Sequence, residues 1–429
     1  MRSLRVTTFT AMALGAVLVL SGCGRGADGD SGGQGSGAGP AAEGKADGVI
    51  EVWTAGGHAD NLEILAKPWL EENPDATLKV TDVPWDQVIT KVQTATAAGT
   101  GPDIIMTGSD QTATVIGMGA FAQVPDGVYE ADDFYPAAVD SVTGEEGLYA
   151  MPWYVETRFL FYRKDIAAEL GMSEPKTWED MEALAGAYKA RPGGTFGISL
   201  PRPVEQPTQV IVPFTSQAGG ELTDGKKWTI DTPEFVSALD FYAGFFERGE
   251  APLETTDATF ENGGTPMFIS GPWMLDVFGE AIDTGTAPAD FSMDAVGYTV
   301  FPTGPGDNNN QYIGGGNLGV FASADNASSA WSLLSWIGEK PQQEEWFGLQ
   351  TELPANIAAG ELASIQENPV TGTLMEQMKH TVAMPNYPAW SQISDLLGKY
   401  SEKIARGEIS SEDAAKEIQS EADGIGFGW

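Results

Sequence analysis

Beyond residue 48, apolar positions recur with two different periods along the chain. Residues 50–53 (IEVW) predict a short first β-strand, and residues 77–83, which alternate between apolar and polar, predict a second. Helical spacing follows over residues 61–72 and 85–98. Pro68 should kink or split the first of these helices, because proline lacks a backbone N–H and clashes with the preceding turn. Strands that alternate with helices predict α/β layers.

The alternation continues towards the C-terminus. Residues 101–106 predict a turn that runs into a buried strand, and residues 149–162 form a long apolar and aromatic segment. Thr177 has the character of a helix cap, and the last helix is predicted to begin near Ser410. The apolar stripes predicted to face the core are Trp178, Met181, Leu184, Ala185 and Tyr188, then Trp331, Leu334 and Ile337. Tryptophans in helical patterns, predicted to serve packing, are Trp331, Trp336 and Trp346.

Residues 1–22 have the pattern of a secretory signal peptide. Arg2 and Arg5 precede a charge-free apolar stretch that is too short to span a bilayer. The sequence Leu-Ser-Gly-Cys at 20–23 resembles the lipobox of bacterial lipoproteins, in which the cysteine becomes a lipidated N-terminus. Cys23 is the only cysteine in the chain, so we expect lipidation rather than a disulfide. The alternative is an ordinary secretory signal with a chance cysteine.

A low-complexity segment completes the N-terminal region. Residues 23–48 comprise the lipidated cysteine and a stretch that is almost entirely Gly, Ala, Asp, Ser and Pro, which predicts a flexible tether spanning roughly 25–30 Å. The expected location is therefore the extracellular face of the cell membrane, with the lipid anchor as the only contact with the membrane.

Composition excludes several classes of function. The formal net charge of −38 argues against nucleic acid and against an anionic lipid surface as partners. Removing the signal peptide would take away Arg2 and Arg5 but no acid, so the mature chain is more acidic still. The rest of the chain is long enough for two domains. The chain has only two histidines, His58 and His380, which argues against a catalytic triad and against a histidine-rich metal site. No cofactor is expected.

Beyond the tether, an ordered series of short motifs resembles the extracellular sugar-binding proteins that include maltose-binding protein. Each motif is weak alone, but their order and spacing together are specific. The motifs are Trp53, Trp85-Asp86 with Lys91, residues 97–104 (AAGTGPDI), 148–153 (LYAMPW), 160–165 (LFYRKD), 175–178 (PKTW), 269–273 (ISGPW), 315–321 (GGNLGVF), 353–355 (LPA) and 388–390 (PAW).

The resemblance implies a two-lobed periplasmic-binding-protein-like α/β fold of type II, with a ligand cleft between the lobes. The family's chain path implies residues 49–152 plus 314–353 for lobe 1, and 153–313 plus 354–429 for lobe 2. It also implies a monomer that binds a carbohydrate, expected to be a di- or oligosaccharide, and delivers it to the permease subunits of an ABC importer.

Aromatic rings beside hydrogen-bonding groups are candidate sugar contacts, since sugar rings present apolar faces and fixed hydroxyls. Trp53, His58 and Asn61 surround the first loop, at the carboxyl end of a strand, where α/β clefts usually open. Asp110 and Gln111 follow a buried strand and could bind hydroxyls or simply cap a helix. Trp53 is as readily a core residue, and a histidine such as His58 is more often solvated in a loop.

The interlobe segment supplies the strongest candidates. Trp153 lies there, and alternation places Tyr154, Glu156 and Arg158 on one face of an extended segment. The alternative is a structural Glu156–Arg158 pair beside a core tryptophan.

Matches to the family add further candidates. Trp273 follows a Gly-Pro turn that can present its ring to the cleft, and Trp390 matches a position that often stacks on sugar. Gly315, Gly316 and Asn317 would bring backbone and amide groups close to a ligand.

Two other functions remain open. One is a secreted glycoside hydrolase, which needs two carboxylates at a defined separation. Because the chain has 61 acidic residues, finding two carboxylates in the sequence neither supports nor excludes such an enzyme. The other alternative is a binding protein for a polyamine, peptide or uronate. Arg158 and Arg202 are compatible with an acidic ligand. The string Gly314-x-Gly316-x-x-Gly319 matches a dinucleotide fingerprint, but a strand-like run follows it rather than a helix.

Overall fold

The computed structural model describes residues 45–201 and 207–428. The predicted signal peptide, the lipidation site Cys23, most of the tether and Arg202 lie outside the described residues. In the described part of the chain, no helix combines the length and apolar character needed to cross a membrane.

Twelve strands occur in the described residues. They are β1 Gly48–Ala55, β2 Ala76–Val83, β3 Ile104–Gly108, β4 Thr143–Gly144, β5 Gly147–Leu148, β6 Met151–Thr157, β7 Phe159–Arg163, β8 Met267–Ser270, β9 Val296–Thr299, β10 Gln311–Val320, β11 Leu353–Pro354 and β12 Thr381–Val382.

Seventeen α-helices occur in the same residues. They are α1 Ala59–Leu65, α2 Lys67–Glu72, α3 Val88–Ala98, α4 Thr112–Gly117, α5 Pro136–Ser141, α6 Lys164–Glu169, α7 Trp178–Ala190, α8 Thr208–Gln217, α9 Pro233–Glu247, α10 Met274–Asp283, α11 Ala327–Ile337, α12 Lys340–Gln350, α13 Ile357–Gly360, α14 Ala363–Gln366, α15 Thr371–Met378, α16 Trp390–Ala405 and α17 Ser411–Ile425.

The larger sheet has seven strands in the order β11-β6-β10-β3-β1-β2, with β12 beside the first residues of β10. β1 is parallel to β2 and β3, whereas β10 is antiparallel to β3 and β6. Successive residues of β3 alternate between the two faces: Ile104 and Met106 contact one core cluster and Ile105 the other. Both faces of this sheet are therefore covered, as expected for α/β layers.

A second sheet has three antiparallel strands in the order β8-β7-β9. The apolar segment that the sequence marked at 149–162 is divided between the two sheets, because β6 pairs with β10 in the larger sheet and β7 pairs with β8 and β9. The division falls at Arg158, the single residue between β6 and β7. The chain therefore passes from one sheet to the other at Arg158.

Local signals account for several helix ends. α1 ends at Leu65 and α2 begins at Lys67, with Pro68 in its first turn, so the predicted split is confirmed. The predicted cap at Thr177 is a full capping box, in which its hydroxyl accepts from the Asp180 backbone N–H and the Asp180 carboxylate accepts in return. The predicted core positions Trp331 and Trp346 are confirmed as buried.

The largest core cluster packs α7, α8, α9, α16 and α17 against β7. Its centre consists of aromatic rings, with Trp178 stacked on Phe241 at a centroid distance of 3.8 Å. This helical layer supports the three-stranded sheet from one side and holds β7, and therefore Arg158, in position.

Candidate functional site

Arg158 lies at the centre of a buried polar cluster at the passage between the two sheets. Its Nη1 donates to Oε1 of Glu156 at 2.7 Å, and its Nη2 donates to Oε1 of Gln209 at 3.2 Å. The side chains of Arg158 and Glu156 are only 12% and 13% exposed. At this burial the pair is far less screened by water than a surface ion pair would be.

Two aromatic rings enclose the guanidinium group. The Arg158 Cζ lies 4.7 Å from the ring centroid of Trp273 and 5.4 Å from that of Tyr312. Both distances are within cation–π range. Trp273 immediately precedes α10, and its ring packs so tightly over the backbone of Gly271 that a Cβ there would lie 1.7 Å from the ring. A glycine at this turn is what allows the ring to lie towards Arg158.

The loop after β3 adds hydroxyl and carboxyl groups. The Ser109 hydroxyl lies 3.2 Å from the hydroxyl of Tyr312, and the Ser109 backbone N–H donates to the carbonyl of Gly315 at 3.0 Å. Burial raises the pKa of the neighbouring Asp110 to about 6, although the positive charge of Arg158 opposes the shift. Asp110, Glu156 and Arg158 thus form a group of charges in which the acids outnumber the base.

The glycines of β10 allow this strand to pack closely against β6. A Cβ on Gly316 would lie 2.4 Å from the ring of Tyr154, and one on Gly315, whose φ is +154°, would lie 2.2 Å from the Tyr154 carbonyl oxygen. These glycines were predicted to approach a ligand. In the structure they let Tyr154 of β6 pack closely against β10, and Gly315 also lines the cavity beside the Arg158 cluster.

A cavity of about 40 Å³ adjoins the cluster. Its walls come from the β3–α4 loop, α5, β6, β10 and the chain after β12. The lining residues are Ser109, Ala137, Ala138, Asp140, Ser141, Tyr154, Val155, Ile313, Gly314, Gly315, Asn317, Ala383, Met384 and Asn386. A space of this size is below the range of sugar-sized pockets, so seating a saccharide requires its walls to move apart.

Comparison with known sequences places this arrangement in a family. The profile of the bacterial extracellular solute-binding proteins matches residues 65–373. The chain belongs to this family. A curated relative, the diacetylchitobiose binding protein of Streptomyces coelicolor, is 28% identical over 439 residues, which cover 95% of each chain.

Solved structures agree with the family in fold. The GacH receptor of Streptomyces glaucescens, solved unliganded and with acarbose, superposes with a TM-score of 0.78 at 21% identity, covering 89% of this chain and 99% of that one. The sugar-binding protein MalE of Xanthomonas citri gives a TM-score of 0.73 at 24% identity, covering 88% and 97%. This solute-binding protein therefore has the predicted two-lobed α/β fold of periplasmic binding proteins.

His58 is buried in this solute-binding protein, so the expectation of a solvated loop residue is wrong. It is 4% exposed, and its Nε2 lies 3.0 Å from Oε1 of Glu352. Its Nδ1 also contacts the carbonyl of Ala55. Burial opposes the charged imidazolium, but the carboxylate of Glu352 outweighs it and raises the pKa of His58 above its ordinary value. Burial also raises the pKa of Glu352.

Trp153 belongs to the same buried group and not to the Arg158 cluster. It is fully buried, and its ring centroid lies 4.1 Å from that of Trp346. Its Nε1 has no hydrogen-bond partner among the described residues. The side chain of Trp346 donates to Glu352 at 2.9 Å, so Trp153, Trp346, His58 and Glu352 form one packed unit behind Tyr154.

The remaining candidates of the first lobe also bind neighbouring protein groups. Trp53 is half-buried against α3, with Nζ of Lys91 4.5 Å from its ring centroid. Asn61 donates to the carbonyl of Leu349 at 3.3 Å. Gln111 accepts from the Gly108 backbone N–H at 3.3 Å. The structure does not bring Trp53 or Asn61 to the Arg158 cluster.

Asn317 and Trp390 both have their side chains engaged by other parts of the protein. Nδ2 of Asn317 donates to the hydroxyls of Thr112 and Ser141, both at 2.9 Å, so this amide joins α4 to α5. Trp390 is 2% exposed and packs in the largest core cluster, with its ring 6.4 Å from Trp228. Helix α16 turns this ring inward, so no face of it is open to a ligand in this structure.

The structure also shows cluster members that sequence reasoning missed. Tyr312 encloses Arg158, Gln209 binds it and Asn386 lines the cavity. Tyr312 stands two residues before the Gly314–Gly316 run, and this position could have marked it. Gln209 and Asn386 carry no comparable signal, because they reach the site only through the path of the folded chain.

Proposed function

We propose that this chain is an extracellular receptor that binds a di- or oligosaccharide and delivers it to an ABC importer. The observation that supports a sugar most directly is the Arg158 cluster, in which charged hydrogen-bonding groups lie beside the rings of Trp273 and Tyr312. Sugars require this combination, because hydroxyls need donors and acceptors in fixed positions and the ring faces need apolar surface. The relatives support the same class, since their names refer to diacetylchitobiose, acarbose and sugar binding.

The charge of the cluster favours a neutral ligand over an acidic one. Arg158 is already paired with Glu156 at 2.7 Å, and Asp110 adds a second acid nearby. A uronate would bring another carboxylate to Arg158, which is already engaged by Glu156. A neutral saccharide meets no such repulsion.

In this proposal the ligand lies between two lobes that move as units. Lobe 1 comprises residues 49–152 plus 314–353 and lobe 2 comprises 153–313 plus 354–429. The change of sheet at Arg158 lies close to this proposed boundary. A ligand that contacts both lobes favours the closed arrangement by its differential affinity.

The location follows from the N-terminal sequence. Lipidated Cys23 and the tether would hold a monomeric receptor at the outer face of the membrane, near the permease. If so, Cys23→Ala releases the protein into the medium, as membrane fractionation would detect. Unchanged membrane retention of this variant would contradict the anchor without affecting the sugar site.

The ligand class is tested by thermal shift with the purified chain. Sugars, polyamines and peptides are screened separately, and a saccharide at a hundredfold excess over its Kd should stabilise the protein by about 2.7 kcal/mol. Calorimetry then measures affinity, and chromatography of the ligand after long incubation should recover it chemically intact. Stabilisation by polyamines or peptides alone would overturn the sugar assignment, and product formation that follows the pure protein would indicate an enzyme. Delivery is tested by uptake of the labelled ligand in cells with and without the chain.

A further inference from the structure

The cavity beside the Arg158 cluster contains an amide with one end unsatisfied. Nδ2 of Asn386 donates to the carbonyl oxygens of Asp140, at 2.6 Å, and of Thr143, at 3.2 Å. Two carbonyl partners fix which end of the amide is the nitrogen. Oδ1 is therefore turned away from these carbonyls, and it is buried and accepts no hydrogen bond from the described residues. A buried acceptor without a donor costs free energy, which an N–H group from a ligand would recover.

The other walls of the cavity are mainly apolar and small. Ala137 and Ala138 of α5 form one side, Val155 of β6 another, and Met384 closes it. These four side chains suit a methyl group, because they carry no polar atoms that the methyl would leave without water.

The hydroxyl-bearing side chains of Ser109 and Ser141 also belong to the lining, and Tyr312 contacts Ser109 without lining the cavity itself. The hydroxyls of Ser109 and Tyr312 lie 3.2 Å apart, so one of their two hydrogens remains free to donate elsewhere. Tyr154 also lines the cavity. Burial raises the pKa of Tyr154 well above its ordinary value, which keeps the phenol protonated and able to donate.

We propose that this cavity is a subsite for an acetamido group, so that the ligand is a saccharide containing an N-acetylated amino sugar. Oδ1 of Asn386 is covered in this structure, and the outward movement of the walls that admits the ligand would expose it to the amide N–H. The carbonyl accepts from a hydroxyl of Ser109 or Tyr154, and the methyl group lies against Ala138, Val155 and Met384. This inference rests on the proposed function, because it assumes that a sugar enters the cleft.

The size of the cavity fits this assignment. Its volume is about 40 Å³, whereas one water needs only about 10–15 Å³. A hydroxyl substituent would leave most of the space unfilled. An acetamido group adds a nitrogen, a carbonyl and a methyl group, which fill it after a small outward movement of the walls.

Matched ligand pairs test the subsite. Calorimetry on the full chain compares N-acetylglucosamine with glucose, N-acetylgalactosamine with galactose, and diacetylchitobiose with cellobiose, so that within each pair only the acetamido group differs. We expect at least one acetylated sugar to bind about tenfold or more tightly than its partner. Equal affinities within every pair, or binding of unacetylated sugars alone, would overturn the subsite while leaving the sugar receptor intact. If no saccharide binds, the proposed function fails and the subsite with it.

A variant that fills the cavity tests whether the preference for the acetylated sugar arises there. Ala137→Val places two extra methyl groups at the wall and leaves the Asn386 amide untouched, so the affinity ratio within the responsive pair should fall towards one. Ala131→Val is the matched control, because this alanine precedes α5 and does not line the cavity. An unchanged ratio in Ala137→Val, with its fold confirmed by an unchanged melting temperature, would place the acetamido group elsewhere.

Discussion

The guanidinium of Arg158 lies over the ring of Trp273, 4.7 Å from its centroid, although the two residues belong to separate stretches of the chain. Arg158 is the single residue between β6 and β7, and Trp273 immediately precedes α10. Movement at the passage between the sheets would therefore change the surroundings of this half-buried ring. This contact connects the geometry of the two sheets to the surface on which a sugar would stack.

Trp273, Trp331 and Trp390 should respond differently to truncation. Trp273 is half-buried at the cluster, so Trp273→Ala should weaken sugar binding by about 2 kcal/mol, or about thirtyfold, with little loss of stability. Trp331 and Trp390 are 1% and 2% exposed, so their alanine variants should each cost about 3–5 kcal/mol of folding free energy. Calorimetry and thermal melts on all three variants separate the roles. A thirtyfold loss of affinity in Trp390→Ala without destabilisation would restore Trp390 to the ligand surface.

Asp110 should make the protein less stable as the pH rises from about 4 to about 6. Burial raises its pKa from 3.8 to about 6. In that interval the folded state holds a proton that the unfolded state has lost, so the free energy of unfolding falls with increasing pH and then levels off. Asp110→Asn should remove this slope and raise stability at neutral pH. The check is the pH dependence of the melting temperature for both proteins, and parallel curves would contradict the assignment.

His58 should titrate above its ordinary value because of Glu352. A raised pKa means that its stabilising contribution is complete below the unfolded value of 6.5 and is lost as the pH rises through the folded value. In Glu352→Gln, burial would act without the carboxylate that opposes it most, so the pKa of His58 should fall. The chain has only His58 and His380, so NMR titration can follow both, and His380 serves as the internal control. An unaltered His58 titration in the variant would exclude the coupling.

The end of the chain should influence ligand affinity. Phe427 stacks on Tyr387 at 3.8 Å, and its carbonyl accepts from the Ala389 backbone N–H at 3.0 Å. Residues 383–388, the wall segment, carry Tyr387 together with the cavity residues Met384 and Asn386. An aromatic pair of this kind contributes about 1 kcal/mol, so Phe427→Ala should loosen the wall segment and weaken binding about fivefold.

Ile425→Ala is the control for this prediction. Ile425 packs against the same core cluster but ends α17 before the contact with Tyr387. We expect Ile425→Ala to lower the melting temperature with unchanged affinity. If the two variants lose affinity equally, the effect reflects stability in general and not the position of the wall segment.

The sequence alone determined the features that depend on local spacing. The α/β alternation, the split at Pro68, the capping box at Thr177 and the buried stripe after it all follow from residues within a few positions of one another. Backbone sterics, side-chain capping and helical periodicity act over this range and need no knowledge of the rest of the chain. The family motifs extended this to the two-lobed fold.

Only the tertiary structure decided which polar and aromatic groups meet. The partner of His58 is Glu352, which is 294 residues away, and the amide of Asn317 reaches Thr112 and Ser141 over 205 and 176 residues. A helical tryptophan has the same local pattern whether it faces a core or a cleft, so Trp390 could not be assigned from its neighbours. Burial, and with it the pKa of Asp110 and of His58, is set by how strands and helices distant in sequence pack together, which no local pattern encodes.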